Sequence, residues 1–385
     1  MKSITGEAKL TFWEAAAIIV GHGVGSGILA VPFLASRNRF PDVLILIGIA
    51  YLINLCMHFM IAELSYNNDG AQFVKCFERE LFRGKAGKIL GWAAFVFLGL
   101  SVLINVSGYI AGAAAVFHTW FGLPERLGMV VYFLLASLVV FFGMKLVGIS
   151  EKYALFGMIG VIAVLFAAVL ANGLNPVPMT FIAPGNLIAL YSMVAFALSA
   201  VMSVPQVVKG LGGDPHRVRG AIVCGTGINA GLILAITIMT LIGAGSSISE
   251  NGALVDLSAK LGGWVGIVGF IFSLLALSTS FWANTLNLRD IVHEQIHLNL
   301  KSSYLAAALP CLLIALLGAQ SFVAFTRLAG IIQVLTGIGI IVAYARSRRR
   351  AGSSPICGIA GQLPFRILVI VSSVLATAGS IIHVK

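Results

Sequence analysis

Four glycines at every second position, Gly21, Gly23, Gly25 and Gly27, hold a histidine and a serine among them in the run GHGVGSGILAVP. An imidazole at His22 and a hydroxyl at Ser26 can hydrogen-bond a small polar solute, and histidine is the side chain whose charge changes nearest neutral pH. Each glycine costs a helix interior about 1 kcal/mol relative to alanine. Four of them predict an interruption, closed by Pro32. Backbone N–H groups freed at the start of the outer half, near Ser26, Gly27 and Ile28, suit a carboxylate. Carbonyls freed at the end of the inner half, near Gly21 and Val24, suit a cation. The competing reading is a small-residue packing face with Gly21/Gly25 and Gly23/Gly27 in register.

Further polar groups stand in otherwise apolar sequence. In YSMVAFALSAVMSVPQVVKG, Pro205 closes a stretch of small and polar residues from Ser199 to Ser203, a second interruption without glycine. In LLALSTSFWANTLNLRD, Ser278, Thr279 and Ser280 offer the neutral oxygens a hard cation such as sodium wants, unless they bond back to their own helix carbonyls. Asn105 and Tyr109, one helical turn apart, either face a solute, with the phenol reaching a carboxylate, or pack structurally. Glu14 and Glu63 sit near span ends, where capping or snorkelling outweighs proton transfer. Arg327 either pairs with an acid to gate an outer vestibule or snorkels outward. HEQIH at 293–297 matches H-E-x-x-H, two imidazoles on one helix face for zinc with Glu294 as general base of an intramembrane metalloprotease. It falls in the connection after the eighth span and reads better as a solvated loop, because no acidic residue follows Glu294 to serve as third ligand.

The elements that must position these groups are set by composition. Apolar types make up 59% of the 385 residues and charged types 10%, where a soluble domain carries about 25% charged. A helical span needs roughly 20 apolar residues. Eleven windows qualify, near 12–35, 43–65, 89–117, 127–147, 153–171, 186–208, 220–244, 263–288, 303–318, 321–345 and 365–383. Long continuous apolar runs exclude a transmembrane barrel, which alternates in short segments, and the first window is too long for a signal peptide. The longest polar connection, 65–88, holds a short surface helix around KCFERELF, so one membrane domain accounts for the chain. Five scattered cysteines without a C-x-x-C pair point to neither disulfides nor a metal knuckle.

The net charge of +11 does not mark a nucleic-acid binder. With the amino end inside, nineteen of the 25 Lys and Arg residues fall on the inner side, the positive-inside pattern. The amino end is then cytoplasmic and the carboxyl end outside, with SRRR at 347–350 as a topology anchor able to touch anionic lipid. Non-helical backbone at membrane depth lines a site or a cavity. Interruptions in the first and sixth spans, which run in opposite directions, point to the binding site of a secondary transporter built from inverted halves.

Three motifs, G-x-x-V-G-x-G-I-L-A-V-P in the first span, S-x-P-x-x-V-K-G-L-G-G-D-P over 203–215, and T-S-F followed by L-x-x-x-D over 279–290, resemble the hydroxy and aromatic amino acid permeases. That family lies within the amino acid, polyamine and organocation transporter superfamily. The resemblance implies an all-α polytopic protein with a LeuT-like five-plus-five inverted repeat (10–172 and 186–346), helices 1 and 6 interrupted, and one extra helix at 362–385. It implies a permease of the cytoplasmic membrane that moves a neutral, aromatic or hydroxylated amino acid with Na+ or H+, without a cofactor or an obligate protein partner. His22, Gly25, Ser26, Gly27, Tyr109, Ser199 and Ser203 would meet the substrate; Gly21, Val24, Ser278 and Thr279 would match the superfamily's sodium site; Arg327 would gate. The sequence departs from the family at Ala200, Val201 and Met202, where members commonly carry Phe-His-Gly. The zinc protease and a passive channel are the alternatives, and a channel would want a ring of like polar groups that the spans do not supply.

Overall fold

A computed structural model describes residues 9–25, 27–82, 84–179, 183–245, 248, 253–318 and 322–382, and of residues 29, 85, 253, 255 and 322–336 it describes the backbone. No strand occurs among the described residues. Long apolar sequence in a bilayer must satisfy its backbone within each segment, and helices do so. The helices are α1 (Phe12–Val24), α2 (Gly27–Ser36), α3 (Phe40–Asn67), α4 (Phe73–Glu80), α5 (Lys85–Phe121), α6 (Glu125–Phe141), α7 (Met144–Ala171) and α8 (Pro184–Ala197). They continue with α9 (Val204–Gly210), α10 (Pro215–Ala244), α11 (Ala253–Leu261), α12 (Gly263–Ile296), α13 (Leu300–Leu317), α14 (Phe322–Ala351) and α15 (Leu363–Ile381). Among the described residues, eight spans of 18 residues or more are apolar enough to cross a membrane. The broken pair α1/α2, the 17-residue α6 and α14 complete eleven crossings.

Helix starts are written locally. Thr11 and Glu14 form a capping box on α1, the Thr11 N–H donating to Glu14 Oε2 at 2.8 Å. Asp214 caps α10 with Pro215 in its first turn, and Asn299 caps α13. Glu14 also pairs with Lys145 at the start of α7, the capping role expected of it.

Two elements, α7 and α11, differ from the sequence reading. Helix α7 begins at Met144, well before 153, because Gly143 at φ 95° turns the chain directly from α6 into a new helix. The polar run ISEK is therefore helical, and Glu151 is turned fully inward. The sixth span breaks where the stretch Ser199 to Ser203 predicts: it leaves its helix at Leu198–Ala200, and Val201–Ser203 form a 3-10 turn. The unforeseen α11 packs on α2, α10 and α12; its Leu257 is buried against Gly243.

The membrane face at which α1 begins, the near face, is packed shut. Leu10 donates its N–H to the Gly210 carbonyl at 2.8 Å and its side chain sits against Gly148 and Gly210. Glu63, fully buried at the near end of α3, accepts from Ser354 Oγ at 2.8 Å, from the N–H groups of Cys357 at 2.9 Å and Ile356 at 3.3 Å, and from the Tyr344 hydroxyl at 3.2 Å. One carboxylate thus ties the α14–α15 connection to α3. Glu63→Ala leaves those donors unpartnered and is expected to cost about 2–4 kcal/mol. Thermal unfolding of the purified protein in detergent checks this; a midpoint equal to wild type would contradict it.

Candidate functional site

Both breaks leave backbone groups without helical partners, as any helix end does. At the first, α1 ends at Val24, Gly25 turns out of the helix at φ −9°, ψ −143°, and α2 restarts at Gly27. At the second, neighbouring helices supply the partners. Asn229 of α10 donates Nδ2 to the Ala197 carbonyl at 2.7 Å, and Asn287 of α12 donates to the Met202 carbonyl at 2.6 Å. His58 of α3 accepts the Ala200 N–H on Nε2 at 3.0 Å. An accepting Nε2 puts the imidazole proton on Nδ1, which lies 3.3 Å from Thr226 Oγ1. Ser280 of α12 donates to the Gly21 carbonyl at 3.0 Å.

The two breaks touch. A Cβ on Gly27 would lie 2.8 Å from Ala197 Cβ and 3.2 Å from Phe196 Cδ1, so α2 starts directly against the end of α8. A Cβ on Gly25 would lie 2.7 Å from Ser280 Oγ and 3.7 Å from Tyr109 Cε1. The buried Tyr109 hydroxyl lies beside the side chains of Asn105 and Ser280, and Ser280 in turn reaches the Gly21 carbonyl. His22 Nδ1 meets Ser203 Oγ at 2.9 Å, a direct tie between the first and second breaks. Of the residues predicted to meet a solute, His22, Gly25, Gly27, Tyr109 and Ser203 therefore converge. Ser199 lies half-buried in the second break with its N–H on the Phe196 carbonyl at 3.0 Å. Ser26 and the side chain of Arg327 lie outside the described residues.

Of the predicted cation set, the two backbone residues lie in the last turn of α1 and the two hydroxyl residues on α12. Gly21 and Val24 close α1, but Thr279 donates its hydroxyl back to the Ala276 carbonyl at 2.9 Å and Ser278 lies against Tyr132 of α6. Of the three hydroxyls, that of Ser280 bonds to α1, at the Gly21 carbonyl. Around the breaks, His58, Asn229, Asn287 and Glu151 were missed. His58 and Asn229 stand among mostly apolar residues, where expense inside a membrane is their signal, whereas Asn287 stands in the polar stretch N-T-L-N-L-R-D over 284–290. Glu151 was missed because ISEK read as a loop.

HEQIH also needs correcting, since α12 runs to Ile296 and the motif is a helix end rather than a solvated loop. Glu294 Oε2 accepts the Gln72 N–H at 2.9 Å, capping α4. His293 Nδ1 sits 2.6 Å from the Leu298 carbonyl, and His297 takes φ 62° at the helix terminus. No group of three metal-ligating side chains occurs among the described residues.

The profile of the tryptophan/tyrosine permease family matches residues 8–379. The chain belongs to that family. No curated protein sequence matches it. Its fold is that of two solved transporters. One is MHP1, a nucleobase-cation-symport-1 family transporter in a closed conformation with bromovinylhydantoin bound, at 14% identity, 98% of this chain, 95% of that one and TM-score 0.65. The other is MhsT in complex with L-phenylalanine, at 15% identity, 97% of this chain, 99% of that one and TM-score 0.67. This family member is thus a multi-pass secondary transporter of LeuT-like architecture and not an enzyme.

If glycine is required by close approach at the breaks, Gly25→Ala and Gly27→Ala should abolish transport while the protein still purifies as a folded monodisperse species. Gly160→Ala, with open space around it, should be silent. Equal transport in all three variants would show that the breaks are not a tight site.

Proposed function

We propose that this permease moves a neutral aromatic amino acid across the cytoplasmic membrane together with a cation, its near face being the cytoplasmic one. The observation that carries the reading is the convergence of Gly25, Gly27, Tyr109 and Ser280 where the two opposed breaks meet. The first N–H groups of α2 point out of a helix start, and a helix start attracts an anion. A substrate carboxylate placed there lies within reach of the Tyr109 hydroxyl. The ammonium group is met by the carbonyls that close α1. Phe196, packed against Gly27, offers the apolar surface an aromatic side chain wants.

The substrate class draws support from the family to which the chain belongs and from L-phenylalanine in MhsT. Cation coupling draws support from the kinship in fold with a cation symporter. Residues 10–172 and 186–346 serve as the two inverted repeats and 362–385 as the added helix. The near face is packed shut through Leu10, so the site communicates with the opposite face first. Substrate held across both breaks joins the halves, and rocking of one bundle against the other then opens the near face.

Uptake of labelled L-tryptophan, L-tyrosine and L-phenylalanine into proteoliposomes, with an imposed sodium or proton gradient, tests the reading. At least one should accumulate. Tyr109→Phe, which loses one hydrogen bond to a charged group, should raise its KM about tenfold. Failure of all three under either gradient would overturn the substrate class.

A further inference from the structure

Glu151 lies seven residues into α7, about 10 Å along the helix from its near end, and is fully buried. Neither carboxylate oxygen has a hydrogen-bond partner. Its head group rests on Gly21: a Cβ there would overlap Oε2 and come within 2.9 Å of Oε1. Gly21 is the residue whose carbonyl is held by Ser280 on its other side. A lone carboxylate in such a place is expensive, and in membrane proteins such groups mark ion and proton pathways.

The ionisable groups on the packed neighbours do not answer this charge. On α1, Glu14 is itself negative and paired with Lys145, while His22 is engaged by Ser203. On α12, Arg289 is paired with Asp290 at 2.6 Å, and His293 and Glu294 are engaged at the helix end. On α10, Arg219 stacks over Phe59, His216 and Arg217 stand in the first turn, and Cys224 is only partly buried. On α6, Tyr132 faces Phe281, and Glu125 and Arg126 lie in the first turn at the far end. Lys152, next to Glu151 on α7, sits over the Tyr153 ring. No cation among the described residues lies within ion-pair distance of Glu151.

We infer that Glu151 is the anionic group that meets the coupling cation, a sodium ion or a proton, where α7 backs onto the first break. This rests on the cation-coupled reading above and adds the residue that carries the coupling. With the charge neutralised, α1 packs on α7 and the near face stays closed. With the cation gone, a bare carboxylate between α1 and α7 favours their separation and the entry of water from the near face. The cation thereby biases the same movement of α1 that releases substrate, which is what a coupling free energy between two sites requires.

The test uses purified protein as wild type, Glu151→Gln and Glu151→Asp. Without substrate, thermal unfolding is followed while sodium chloride replaces choline chloride at fixed pH, and while pH is varied at fixed salt. In proteoliposomes, substrate exchange and gradient-driven accumulation are measured separately. We expect wild type and Glu151→Asp to respond to one cation in both assays. Glu151→Gln should keep exchange but lose both accumulation and the cation-dependent shift in midpoint. The cation that moves the midpoint distinguishes sodium from the proton. Retention of the shift or of accumulation in Glu151→Gln would overturn the inference, as would loss of exchange in both variants, which makes Glu151 a packing residue. If wild type moves no aromatic amino acid yet shows a midpoint shift that needs Glu151, the cation role stands and the substrate reading falls.

Discussion

A backbone N–H or C=O without a partner at membrane depth costs several kcal/mol, and two helices here each give up a turn of such bonds. Everything near the middle of the protein follows from how that cost is met. Asn229, His58 and Asn287 come from three different helices and each takes one backbone group of the second break. Ser280 does the same for Gly21 at the first. A helix start such as that of α2 is where a solute carboxylate can bind. The breaks are therefore not weak points in the bundle; they are braced by side chains of the neighbouring helices.

The bracing also explains why so many residues at the centre must be small. Gly23 leaves room for Asn229 to reach the Ala197 carbonyl, and Gly25 leaves room for Ser280 and Tyr109. The same logic places Glu151 on Gly21, where no Cβ would fit. Glycine spacing that reads as helix-breaking is, in three dimensions, the set of notches into which polar side chains of α7, α10 and α12 are seated. His22 and Ser203 then connect the breaks directly, so a disturbance of one half is felt by the other.

Much of this was legible in the sequence. The alternation of glycines with Pro32 marked the first break, and eleven apolar windows of the right length gave the crossings. The small and polar stretch from Ser199 to Ser203, closed by Pro205, marked the second break, where the chain leaves its helix at Leu198 and restarts at Val204. The hydroxyls at 278–280 could not be told apart without the rotation of α12. Glu151 was hidden by its neighbours: Ser150 and Lys152 make the segment look like a loop, and only the tertiary packing of α7 on α1 turns the carboxylate inward. The bracing side chains carry only the signal of a polar group at membrane depth, which does not announce which helix they will serve.

The central claim is that the two opposed breaks form the substrate site, with the start of α2 and Tyr109 receiving the carboxylate. A cryo-electron microscopy structure of the protein with bound L-tryptophan would test it most directly. The account predicts density for the amino acid between α2 and α8, its carboxylate against the N–H groups near Gly27 and its aromatic ring toward Phe196. Ligand density elsewhere in the bundle, with an undisturbed contact between Gly27 and Ala197, would contradict it.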